Sequence, residues 1–79
     1  MDILTCYPNP DSDWWLVRDD STGEEYWPHR NDVPNTLFSL CNQKGYNKVW
    51  FEGPYMDSYE IMYKFHNLFP QSDIVFTVN

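Results

Sequence analysis

Residues 47–78, NKVWFEGPYMDSYEIMYKFHNLFPQSDIVFTV, read as strand, helix, strand, and their reading decides the fold. Lys48-Val49-Trp50-Phe51 ends in an unbroken apolar run, the pattern of a strand covered on both faces. Gly53-Pro54 stops it. Asp57 predicts a helix N-cap with Glu60 as its capping-box partner, and Pro70 closes the segment because a helix rarely runs on into proline. Asp73-Ile74-Val75-Phe76-Thr77-Val78 is β-prone throughout. Two strands joined by one helix are most simply parallel, with a right-handed crossover. On the helix, Ile61, Met62, Phe65, Leu68 and Phe69 share one arc, the predicted core face. Tyr59, Tyr63 and His66 fall together on an adjoining flank.

Working back toward the N-terminus, Pro34 suits a first helical turn, and Leu37, Phe38, Leu40 and Cys41 lie on one face at 100° per residue. Lys44 and Gly45 end that helix, with a cation near the negative dipole end and glycine at C′, which predicts a helix over 35–44. Further back, Trp14 to Arg18 and Glu24 to Trp27 read as strands joined by Asp19-Asp20-Ser21-Thr22-Gly23, a turn-forming run. This predicts a β-hairpin over 13–27. Asp2 to Tyr7 makes a first strand that Pro8-Asn9-Pro10 breaks. The predicted fold class is α+β: one domain over 1–79, in the order β-β-β-α-β-α-β. Its mixed sheet carries a C-terminal βαβ unit and two helices on one face.

A chain of 79 residues has room for one small core, and its 19% aromatic content supplies the large rings that fill one. The net charge of −7 is unevenly spread. Residues 1–32 hold eight acids against two bases, whereas residues 33–79 hold four acids against three. Such a field opposes direct contact with nucleic acid or an anionic membrane and favours a basic partner. No secretory apolar region follows Met1 and no apolar run approaches a membrane span, so the expected compartment is cytoplasmic. Cys6 and Cys41 are too few for a disulfide framework and are expected to be reduced and buried.

The acidic hairpin is the main candidate site. Asp11, Asp13, Asp19, Asp20, Glu24 and Glu25 surround Trp14, Trp15, Tyr26 and Trp27, so carboxylates stand ready for arginine and lysine while aromatic rings supply anchors. The same pattern also suits a core lined by the rings and an edge guarded by the acids. Trp14 and Trp15 separate the two, since neighbours on a strand point to opposite faces and one of them must look away from the main core. The partner-contacting residues predicted here are Asp13, Trp14, Asp19, Asp20, Glu24 and Glu25. Tyr59, Tyr63 and His66 either pack under the hairpin or form a second patch.

Other chemistries have less behind them. Asp19 to Glu25 lacks the ligand alternation of a calcium loop, and Asp11 with Asp13 is an incomplete magnesium site, so no metal is expected. Cys6, Cys41, His29 and His66 show no catalytic spacing, and Cys41 lies on an apolar helix face that keeps a thiol inert. Gly23, Gly45 and Gly53 compose no phosphate-binding loop, and neither catalytic residues nor a cofactor are predicted. Stacking of RNA on Trp14, Trp15, Tyr59 or Tyr63 lacks a basic groove.

In size and in the acidic, aromatic stretch Asp11 to Glu25, the chain resembles the very small proteins that bacteriophages direct against host machinery, including anti-CRISPR proteins and nucleic-acid mimics. The resemblance implies a stoichiometric inhibitor, acting in the host cytoplasm, that covers a basic surface of a nuclease or other defence complex. Because the acids sit mostly in one half of the chain, occlusion of a local basic pocket fits better than imitation of a long duplex. The alternative is an assembly protein that self-associates, as a homodimer, through a sheet edge or the Tyr59, Tyr63, His66 stripe. A small-ligand or metal-dependent activity is the third reading.

Overall fold

A computed structural model describes residues 2–53 and 56–77. The elements in chain order are strands β1 (Ile3–Tyr7), β2 (Leu16–Asp19) and β3 (Glu25–Tyr26), helix α1 (Val33–Lys44), strand β4 (Lys48–Glu52), helix α2 (Met56–Leu68) and strand β5 (Asp73–Thr77). A single 3-10 turn, Arg30–Asp32, leads into α1. The five strands form one sheet in the order β3-β2-β1-β4-β5. β1, β4 and β5 run parallel, β2 lies antiparallel to β1, and β3 lies antiparallel to β2. This is the α+β domain the sequence predicts, C-terminal βαβ unit included.

Both helices pack on one face of the sheet, because the two parallel connections, β1 to β4 and β4 to β5, step the same way across it and right-handed crossovers stepping one way share a face. Leu37, Leu40 and Cys41 of α1 and Ile61 and Phe65 of α2 meet Leu4, Cys6, Val17, Val49 and Phe51 of the strands in one core, which also takes in Trp15 and Phe69. Aromatic contacts knit it laterally: Phe38 meets Phe69 edge-on at 6.0 Å, and Phe51 stacks on Phe76 at 5.4 Å. Gly45 ends α1 at φ 71°, a left-handed conformation that glycine adopts without a steric penalty.

Four expectations change. Trp50 does not lie between two layers. Val49 and Phe51 face the helices, so by alternation Trp50 faces away, half-buried among its neighbours on a face no helix covers. Asp57 is not the N-cap, since α2 already includes Met56; Asp57 sits in the first turn and binds Arg30 instead. Leu68 is 42% exposed: at 100° per residue it lies at the edge of the arc, outside the side held in the core by Ile61, Phe65 and Phe69. Tyr59, Tyr63 and His66 do not pack under the hairpin. They are exposed on the flank of α2 nearest β5, at the opposite edge of the sheet.

Candidate protein-binding face

The β2–β3 hairpin is longer than its strand labels. Val17 pairs with Tyr26 and Arg18 with Glu25, and the same register continues through a bridge between Trp14 and His29. Backbone hydrogen bonds hold it at both ends: the Trp15 N–H donates to the Pro28 carbonyl at 3.0 Å, Arg30 N–H to Asp13 at 2.6 Å, and Asp19 N–H to Glu24 at 2.8 Å. Pro28 has no N–H to return, which is why the ladder looks interrupted there.

That register sorts every side chain of the hairpin onto one of two faces. Trp15, Val17, Asp19, Glu24 and Tyr26 point toward the helices. Trp14, Leu16, Arg18, Glu25, Trp27 and His29 point to the helix-free side, beside Tyr7 and Thr5 of β1. Trp15 is fully buried, whereas Trp14 and Trp27 are 55% and 57% exposed. The consecutive tryptophans therefore part as strand geometry requires, with Trp14 the outward one. His29 meets Trp14 edge-on at 5.5 Å, and its Nε2 lies 4.0 Å from the Asp13 carboxylate. Arg30 braces the inner side: its guanidinium lies 5.7 Å from the Trp15 ring centre and 2.5 Å from Asp57 at the start of α2.

The six predicted contact residues do not form one patch. Asp13, Trp14, Asp20 and Glu25 are exposed on or beside the helix-free face. Asp20 takes a hydrogen bond from the Thr5 hydroxyl and lies 3.8 Å from Arg18. Asp19 and Glu24, paired across the turn, point the other way, and Lys44 at the end of α1 clamps both, at 2.5 and 3.2 Å. Asp19 is fully buried, with further bonds from the Ser21 N–H at 2.9 Å and the Tyr46 hydroxyl at 3.3 Å. Burial pushes its pKa up, but Lys44 and the Ser21 and Tyr46 donors outweigh that and hold the carboxyl below its ordinary value. Glu24 is likewise held low, first by Lys44 and then by Thr22 and Tyr26. Lys44 in turn is raised by Asp19 and Glu24 against its own desolvation. These three charges fasten the hairpin turn to α1.

Trp27 is the functional candidate that sequence reasoning did not select, along with Leu16, Tyr7 and Trp50 on the same face. The signal was available: a hairpin register that pairs Arg18 with Glu25 places Trp27 opposite Leu16, two residues along the strand from Trp14. Elsewhere, both cysteines are free and buried. Burial drives the Cys6 thiol far up and Cys41 up to about 11, so both stay protonated at neutral pH. Among the described residues, no three His, Cys, Asp or Glu side chains converge on a point able to hold a metal ion, and no helix is long and apolar enough to cross a membrane. No protein-family model matches the chain, and no curated protein is similar to it in sequence.

Proposed function

We propose that this protein is a non-enzymatic binding module that lays the helix-free face of its hairpin on a basic surface of another protein or nucleoprotein complex and occludes it, as a stoichiometric inhibitor does. The observation that carries this reading is the pair Trp14 and Trp27. Both are more than half exposed on a face no helix covers, with the carboxylates of Asp13 and Glu25 beside them. Exposed aromatic rings rimmed by charge are the composition of interface anchors. The carboxylates select a cationic partner and the rings fill its apolar recesses. The likeness to small acidic phage proteins supports a nucleic-acid-binding defence enzyme as the target.

The test is quantitative capture from lysate of the source organism at about 50 and about 500 mM salt, because screening separates charge pairing from apolar docking. Wild type is compared with Trp14→Ala/Trp27→Ala and with Asp13→Lys/Glu25→Lys. The first variant is expected to lose a partner by about 30-fold or more at both salt concentrations, as truncated anchors do. The second is expected to lose it most at low salt. A partner recovered equally by all three proteins removes this face from the contact.

A further inference from the structure

The sheet has two edges, and they are built differently. β3 is two residues long, begins at Glu25 and is followed by Pro28, all features that discourage another strand from pairing there. β5 is five residues long, Asp73-Ile74-Val75-Phe76-Thr77, with no lysine, proline or bulge. Among the described residues no strand pairs with its outer side.

The register of β5 on β4 fixes which of its backbone groups face outward. Asp73 N–H donates to the Asn47 carbonyl at 2.7 Å, so Asp73, Val75 and Thr77 turn their N–H and C=O toward β4. Ile74 and Phe76 turn theirs away. Two residues with both groups outward, flanking one that faces inward, form a self-complementary set. When two copies approach antiparallel with Val75 on the twofold axis, Ile74 meets the partner's Phe76, and each such pair exchanges two hydrogen bonds.

The surroundings fit that occupant. Phe76 lies on the helix side, its ring 4.7 Å from that of Tyr59. A shallow groove of about 400 Å³ between α2 and β5, lined by Met62, Tyr63, His66, Ser72, Asp73 and Ile74, opens along the same edge. The partner's Phe76 arrives opposite Ile74, beside that groove. Charge points the same way. β3 and β5 lie at opposite ends of the strand order, so pairing through β5 leaves the two β3 strands nine strand spacings apart, about 43 Å along the sheet. That is several Debye lengths at physiological salt, about 8 Å each. Pairing through β3 would instead set the two acid-rich hairpins side by side.

The geometry points to a homodimer in which β5 pairs antiparallel with β5 of a second copy, Val75 at the axis, merging two sheets into one of ten strands. The contact uses the edge opposite the tryptophan pair and stands or falls independently of the function proposed above.

The experiment reads mass and register together. Sedimentation of the wild type from about 5 to about 500 μM is expected to show the mass doubling by mass action. Val75→Lys is expected to stay monomeric, since it sets like charges directly opposite each other, with an unchanged circular dichroism spectrum because the side chain leaves the helix-covered core untouched. Under oxidised glutathione, Val75→Cys is expected to form a covalent dimer, because the Cα separation of a non-hydrogen-bonded antiparallel pair, about 4.5 Å, suits a disulfide. Asp73→Cys is expected to form none, the two copies of residue 73 standing about 13 Å apart along the strands. A wild type that remains monomeric throughout overturns the proposal. So does a Val75→Lys dimer, or cross-linking of Asp73→Cys as readily as Val75→Cys.

Discussion

Asp19 shows how little a charge reveals of its role until its direction is known. Four acids lie within seven residues, Asp19, Asp20, Glu24 and Glu25, and composition treats them alike. Strand alternation divides them: Asp20 and Glu25 go to the helix-free side, Asp19 and Glu24 to Lys44. A carboxyl held below its ordinary pKa contributes stability that is complete above the unfolded value, about 3.9, and is lost as pH falls through the folded value. Lys44, held above its ordinary value, contributes stability that is complete below about 10.4 and is lost as pH rises through its folded pKa. Melting temperature should therefore fall on the acid side below about pH 4, and on the alkaline side from about pH 8.5, where the buried Cys6 and Cys41 thiols ionise only in the unfolded chain, with the Lys44 loss added above that. Asp19→Asn keeps the shape but not the charge, so it should melt lower than wild type at pH 7, with the gap closing below about pH 4. A gap that persists unchanged at pH 2 would mean that the carboxylate charge is not what matters. Charge reversal of Asp19 or Glu24 would damage the fold, which is why Asp13 and Glu25 are the positions at which to test binding.

At the level of elements, most of the fold was legible because the punctuation is strong. Gly45 marks the end of α1, and its φ of 71° shows why glycine stands there. A Cβ added at Gly45 meets nothing within 4 Å, so the whole cost of Gly45→Ala is backbone conformation. That cost should be about 1 to 2 kcal/mol in denaturant unfolding, with Gly45→Asn milder because asparagine tolerates the left-handed region. Equal losses for both variants would point to another cause. The start of α2 was less legible. Asp57 and Glu60 have the spacing of a capping box, but that spacing says nothing of Arg30, which is brought to Asp57 by the hairpin and the turn before α1. Trp50 misled for a related reason: an apolar triplet is the same whether its middle residue is covered by a helix or by the residues around it on its own sheet face. The candidate site was half legible. The Trp14-Trp15 doublet predicted an outward ring, but choosing Trp14 and adding Trp27 required the hairpin register, a property of two strands together.

At the scale of the molecule, the two-layer arrangement makes protection uneven. β1 and β4 have a strand on each side, while β3 and β5 have one. Hydrogen exchange should reflect this, with the amides of β1 and β4 among the last to exchange and those of β3 among the first. Slow exchange across β3 with fast exchange in β4 would contradict the sheet order. The distribution of charge acts at this scale too, since the acid-rich N-terminal residues form one side of the sheet and the nearly balanced remainder forms the other.

The central position of β1 also has a consequence in time. β1 is made before the other strands of its sheet, and β2 follows soon enough to pair with it locally. Its other neighbour begins at Lys48, after the whole of α1 has been made. The three-stranded meander thus forms with one flank of β1 open, and closing that flank is the long-range step on which the rate of folding should depend. Anything that binds extended chain, a chaperone or another nascent copy, finds its best opportunity in the interval before β4 arrives.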